Sequence, residues 1–213
     1  MSSENEKKIV VTGAGGFLGG NLVEMLKDKE GYFVFALSSR GEERQQADTS
    51  RNIQYCHKDI IFSGEGERIL NDAIVVNCAF PRNSTGTEMA EGLWYIQRLF
   101  GRSKECKVKA IINISSQSVY SQTREGSAAE ETPVCLESPY AVGKYAAELM
   151  LESVCQGTEI VYTNLRMASL IGPGFDQRIV NRFVKQALTE HKLTVDKSKH
   201  KFGFLDIADA AEG

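Results

Sequence analysis

Short apolar runs rich in β-branched residues alternate along this chain with longer stretches whose apolar positions recur every three or four residues. The first run, Ile9-Val10-Val11, enters a glycine cluster at Gly13-Ala14-Gly15-Gly16, after which Leu18, Leu22 and Leu26, with Val23, recur at helical spacing. A continuous apolar run is what a strand covered on both faces requires, so this opening reads as a buried parallel strand turning into a helix. Followed to the end, the pattern predicts strands at 8–12, 32–37, 53–56, 73–79, 109–115 and 159–166. It predicts helices at 17–29, 66–71, 88–104, 139–155 and 176–190. Such alternation implies an α/β protein with a Rossmann-like, doubly wound parallel sheet. The longest irregular stretch, 121–133, ends in Thr132-Pro133 and lies between two chemically suggestive segments.

Composition narrows the function classes. The 213 residues make one large domain or slightly more, and 25 basic against 28 acidic residues give a formal charge of -3. No basic stripe suggests nucleic acid, and no apolar run is long enough to cross a bilayer. The polar start Met-Ser-Ser-Glu-Asn-Glu is unlike a secretory signal, which points to the cytoplasm. Five scattered cysteines, at 56, 78, 106, 135 and 155, without a Cys-x-x-Cys, read as reduced thiols rather than metal ligands or disulfides. His57 and His191 lack partner spacing and read as surface residues, so no metal is expected.

Two constellations carry chemistry. Gly13, Gly16 and Gly19 are spaced to let the backbone approach a pyrophosphate at a helix N-terminus. Tyr140 and Lys144 stand four apart on a helical stretch and therefore on one face. A phenol is a poor acid–base group at neutral pH, and an adjacent ammonium favours its phenolate form. The pair thus offers a proton shuttle for a hydroxyl or carbonyl carbon.

In order and spacing these segments resemble the extended short-chain dehydrogenases/reductases, specifically the NAD-dependent epimerase/dehydratase family. The matching residues run from Val10 to Ala211: Thr12-Gly13-Ala-Gly-Gly16-Phe-Leu-Gly19, Asp59-Ile60, Asn77-Cys-Ala79, Ile114-Ser-Ser116-Gln-Ser-Val-Tyr120, Pro139-Tyr140-Ala-Val-Gly-Lys144, Leu165-Arg166, Gly172-Pro-Gly174 and Phe204-Leu-Asp206. The resemblance implies that Gly13, Gly16, Phe17, Leu18 and Gly19 hold the pyrophosphate, Asp59 and Ile60 the adenine, and Asn77, Cys78 and Ala79 the nicotinamide ribose. It implies Ser116, Tyr140 and Lys144 as the catalytic set, with Tyr140 and Lys144 also on the cofactor and Ser169 and Arg166 on the substrate. Ser115 is the serine expected to cap strand-end backbone groups. A nucleotide sugar is the implied partner, and a homodimer is allowed.

Three departures qualify what is carried over. The second strand runs into Ser38-Ser39-Arg40 where an acidic residue is usual, which suits a 2′-phosphate and so NADP ahead of NAD. Ser169 and Met89 stand where the family often has Asn. The chain ends just after Asp206, so residues 1–166 are expected to form the dinucleotide-binding domain and 167–213 an incomplete substrate lobe with a return to the sheet. The Lys197–Lys201 run reads as a solvated loop. An NADPH-dependent carbonyl reductase and a non-catalytic dinucleotide-binding module remain the alternatives.

Overall fold

The computed structural model describes residues 6–41, 43, 45, 48, 50–81, 85–175, 179–195 and 203–213. The 197–201 run and the first three positions of the helix expected at 176–190 lie outside them. The chain runs β1 (Lys7–Thr12), α1 (Phe17–Leu26), β2 (Tyr32–Ser38), β3 (Ile53–His57), α2 (Gly66–Leu70), β4 (Ile74–Asn77), α3 (Gly86–Glu105), β5 (Ala110–Ser116), α4 (Pro139–Cys155) and β6 (Val161–Met167). It closes with β7 (Ser169–Ile171), α5 (Ile179–Glu190), β8 (Phe204–Asp206) and α6 (Ile207–Glu212). Two 3-10 turns, Lys58–Phe62 and Gln117–Val119, follow β3 and β5.

Six strands form one sheet in the order β3-β2-β1-β4-β5-β6, every pairing parallel. Alternating side chains explain how it is buried on both faces. Val10, Phe35, Leu37, Val75 and Ile111 pack on one side with Leu99, Phe100 and Leu151 from α3 and α4. Ile9, Val11, Val34, Ala36 and Val76 pack on the other with Val23 and Leu26 from α1.

Helix starts follow local chemistry. Thr85 and Glu88 cap α3 reciprocally, Glu88 accepting from the Thr85 amide at 2.7 Å and Thr85 from the Glu88 amide at 3.4 Å. Ser138 caps α4 by accepting from Ala141 N at 3.1 Å, with Pro139 in the first turn.

A polar row crosses this apolar sheet. Thr12, Asn77, Asn113 and Asn164 sit in register on β1, β4, β5 and β6. Thr12 donates to Asn77 at 2.7 Å, Asn77 to Asn113 at 2.9 Å and Asn113 to Asn164 at 2.8 Å. Each buried amide is thereby satisfied by the next strand.

Several elements depart from the sequence pattern. β4 stops at Asn77 rather than at 79, where its partner β1 also ends at Thr12; Cys78 N makes the last bond of the ladder, to Thr12 O at 3.2 Å. The Phe204–Asp206 segment returns not to the main sheet but to β7, forming a separate parallel pair, and α6 then packs on α1 through Ile207 and Ala211. At the edge of the main sheet β6 leaves Val161, Tyr162 and Leu165 exposed, and α5 has no buried residue.

Candidate cofactor and proton-transfer site

Gly13 turns the chain off the end of β1 at φ +67°, a conformation open to glycine at little cost. Gly16 N bonds back to Gly13 O at 2.8 Å, and α1 begins at Phe17. No side chain caps this helix start and its first turn holds no acidic residue. The leading amides of Phe17 and Leu18 therefore face outward with the positive end of the helix, as an anion requires. Phe175, just past Gly172-Pro173-Gly174, stacks on Phe17 with ring centroids 4.3 Å apart.

A cleft of about 480 Å³ opens beside this turn. It is lined by Gly13, Gly15 and Gly16, by Ser38, Ser39 and Arg40 after β2, and by Ala79, Phe80 and Pro81 after β4. Lys58, Gly92 and Tyr95 complete its far side. Ends of adjacent parallel strands bring these segments together, since Ser38 pairs in register with His57, the residue before Lys58. The Lys58 ammonium lies 5.0 Å from the Tyr95 ring centroid. No acidic side chain sits at the end of β2; around the cleft, Arg40 and Lys58 are the cations and Glu88 and Glu91, from the first turns of α3, the carboxylates. Asp59 and Ile60 fall in the 3-10 turn just outside the lining; Asp59 N donates to His57 Nδ1, and its carboxylate is largely exposed.

Tyr140 and Lys144 rise from the first turns of α4 on one face. Phe80 meets both, edge-on to the Tyr140 ring at 5.4 Å and 4.2 Å beneath the Lys144 ammonium. Lys144 Nζ donates to Ile114 O at 2.6 Å. Burial pushes the Lys144 ammonium down to about 8, against the opposing influence of Cys78 and Glu148. Burial also pushes the Cys78 thiol up to about 12, so it stays neutral. Ser116 ends β5 and accepts from Ser118 N at 3.2 Å, which leaves its own O–H to donate elsewhere.

Three expectations need correction. Ser116, not Ser115, caps the strand end, because Ser115 spends its hydroxyl on Glu148. The Asn77 amide does not face a ribose, since both its ends are used within the sheet between Thr12 and Asn113. Arg166 is not held for a substrate alone: its guanidinium binds both oxygens of Glu148 and donates to Tyr120 Oη at 2.7 Å, while it also lines a second cavity, of about 660 Å³. Those bonds hold the Arg166 proton more tightly still. Ser169 lies on β7, where its amide donates to Gly203 O at 3.1 Å. Phe80 and Lys58 are missed by sequence reasoning, although each directly adjoins a recognised segment.

The comparisons agree with this architecture. An uncharacterized UDP-glucose epimerase, YtcB, of Bacillus subtilis (strain 168) is 27% identical over 225 residues, covering 97% of this chain and 71% of the relative. The low-salt glycan biosynthesis protein Agl12 of Haloferax volcanii is 24% identical, over 88% of this chain and 64% of its own length. The Bacillus cereus UDP-glucuronic acid 4-epimerase, solved with UDP-glucuronic acid and NAD, superposes with a TM-score of 0.79 at 25% identity, covering 96% of this chain and 70% of that one. The model of the NAD-dependent epimerase/dehydratase family matches residues 9–213. Glycine turn, six-stranded parallel sheet and family match agree: the chain belongs to the NAD-dependent epimerase/dehydratase family.

Proposed function

We propose that this chain carries the cofactor-binding and proton-transfer machinery of an NAD(P)-dependent oxidoreductase of the epimerase/dehydratase type. It acts at a hydroxyl or keto carbon of a nucleotide sugar. The observation that carries the reading is Lys144: a lysine buried beside Tyr140 at the strand ends, with an ammonium that titrates near 8. Burying a cation is costly, and here it places positive charge next to a phenol at the mouth of a dinucleotide-sized cleft.

The dinucleotide, when bound, supplies the hydride acceptor and donor. Gly13, Gly16, Gly19 and the Phe17 and Leu18 amides hold its pyrophosphate; Asp59, Ile60, Cys78 and Ala79 lie along the rest of its path. Tyr140 as phenolate takes the hydroxyl proton and, in the reverse direction, returns it. Lys144 favours that phenolate and binds ribose hydroxyls. Ser116 donates to the oxygen on which charge develops. We assign residues 1–166 to the cofactor and 167–213, with Ser169, to the substrate side.

Ser38, Ser39, Arg40 and Lys58 support NADP over NAD, since cations and hydroxyls suit a 2′-phosphate, with Glu88 and Glu91 of the same cleft as the opposing charges. The same residues support a second reading, an NADPH-dependent carbonyl reductase. Among the described residues no helix is long and apolar enough to cross a membrane, and all five cysteines are free. We place the protein in the cytoplasm. A homodimer is supported by apolar side chains exposed on the packed pair α3 and α4, namely Trp94, Val142 and Leu149.

Calorimetry with NAD and NADP, followed by a panel of UDP-sugars analysed for changed sugars, tests the proposal. Dinucleotide binding and a converted sugar are expected. Net NADPH oxidation by a ketone without sugar conversion would select the reductase, and absence of dinucleotide binding would sink both.

A further inference from the structure

The helix face that carries Tyr140 and Lys144 continues one turn further to Glu148, which is 4% exposed. Two strand ends converge on its carboxylate, and a third segment reaches it through Arg166. Ser115, the neighbour of Ser116 at the end of β5, donates to it. Arg166 of β6 approaches with Nε at 3.1 Å from both oxygens and Nη2 at 2.7 Å from one. Arg166 in turn donates to Tyr120 Oη and to the Glu130 carbonyl at 3.5 Å, tying in the irregular stretch after β5. Its guanidinium lies 5.0 Å from the Tyr120 ring centroid, with Arg124 at 5.8 Å from the same ring. A buried ion pair gains little stability over apolar residues of the same volume, so stability alone is a poor reason for this one.

We propose that Glu148 is a positioning residue for the reaction. It fixes the β5 end that presents Ser116 against the helix turns that present Tyr140 and Lys144, and its charge keeps the Lys144 ammonium protonated in a buried site. The inference rests on the reading of Tyr140 and Lys144 as the proton-transfer pair.

The groups around Lys144 bear this out. Just beyond β4 it meets the neutral Cys78 thiol and the Phe80 ring; from β5 it meets the Ile114 carbonyl. From α3 this level of the helix meets Met89, which packs against Gly143. Its own helix brings Tyr140 and Glu148. Glu148 is the carboxylate in that set, and Arg166 stands behind it as its ion-pair partner.

Glu148→Gln keeps the shape and an acceptor for Ser115, yet removes the charge and leaves Arg166 uncompensated. Both changes disfavour a cationic Lys144. The test is an NMR titration of the Lys144 side-chain amine in the full chain, assigned with Lys144→Arg. The wild-type midpoint is expected near 8. Glu148→Gln is expected to lower it by on the order of one pH unit or more. The Glu148→Gln/Arg166→Met double variant removes the uncompensated cation as well and is expected to bring the midpoint back towards wild type. NADP binding by Glu148→Gln should weaken several-fold at about pH 7.5 and recover at about pH 6, where Lys144 is again charged.

An unmoved midpoint in Glu148→Gln overturns the proposal, whatever happens to stability. If that variant fails to fold, Arg166→Met serves instead: it frees the Glu148 charge and should raise the midpoint, and an unmoved value there overturns the proposal equally. A wild type that binds neither dinucleotide counts against the proposed function, while the Lys144 titration still decides the role of Glu148.

Discussion

Gly13→Ala tests how tightly the glycine turn is built. At φ +67° a residue with a Cβ is strained by about 1–2 kcal/mol. The added carbon would also sit 2.7 Å from Ala79 N, 2.8 Å from the Cys78 carbonyl carbon and 2.9 Å from Ala79 Cα. Favourable separations are about 3.5–4.0 Å, so the two backbones must part by about 1 Å. No side chain can yield instead, because the atoms in the way are main chain. Nor is β4 free to retreat, since Cys78 N bonds to Thr12 O and Asn77 to Thr12 Oγ1. Overpacking of this kind costs about 1–3 kcal/mol. The sum is about 2–5 kcal/mol, a large part of the 5–15 kcal/mol typical of a folded domain. Urea unfolding should show that loss as a lower midpoint at unchanged slope. Calorimetry should show dinucleotide affinity falling by about tenfold or more, the equivalent of about 1.4 kcal/mol, as the turn moves. Gly15→Ala is the control: its Cβ would meet Ser38 Cβ at an ordinary 3.5 Å, and stability should change by less than about 0.5 kcal/mol. A Gly13→Ala protein that loses under about 1 kcal/mol and binds dinucleotide normally would refute the reasoning.

Lys144→Met should change how stability depends on pH. Between about 8 and 10.5 the unfolded chain keeps a proton that the folded chain has released, so wild-type stability gains roughly 3 kcal/mol across that window. The wild-type minus variant difference in unfolding free energy should rise with pH there, and a flat difference would contradict a depressed Lys144. Tyr140→Phe should abolish sugar conversion while leaving the calorimetric dinucleotide affinity nearly intact; full turnover in this variant would remove Tyr140 from the mechanism. Ser38→Asp should shift preference from NADP to NAD by about tenfold or more, since a carboxylate repels a phosphate and accepts from a hydroxyl. Competition binding reads this directly, and an unchanged ratio would move 2′-phosphate recognition elsewhere. Trp94→Glu should shift any dimer towards monomer in sedimentation, and an unaffected dimer would exclude the α3 and α4 face.

The sheet was legible in the sequence because each inner strand is apolar on both faces, and a run such as Ile9-Val10-Val11 admits few other readings. The glycine turn and the Tyr140–Lys144 pair were legible because their meaning lies in local spacing. β7, β8 and α6 carried no such signal: they are three, three and six residues long, and β7 and β8 have no buried residue. Arg166 and Asn77 show the other limit. Each is a polar residue in a family motif, and each is engaged by a partner distant in sequence, 18 residues away for Glu148 and 36 for Asn113. A polar position shows what a side chain can bond, and only the fold shows whether something already has. Lys58 was hidden for the opposite reason: a lone charged residue reads as solvated until β2 and β3 bring it to the same cleft as Ser38.

The Thr12-Asn77-Asn113-Asn164 row links positions 65, 36 and 51 residues apart into one chain of donors and acceptors. Each member donates to the next, so replacing Asn77 or Asn113 strands a donor on one side and an acceptor on the other, and replacing either end strands one group. Each stranded buried group costs about 1–3 kcal/mol. Replacing neighbours together by apolar residues strands fewer groups per substitution and adds buried hydrocarbon. Descent with modification should therefore treat these positions as a linked character. Among relatives the four should vary in concert, and single departures should be rare beside joint ones. An evolutionary path between a polar row and an apolar one has to cross a less stable intermediate, which makes whichever version a lineage carries hard to leave.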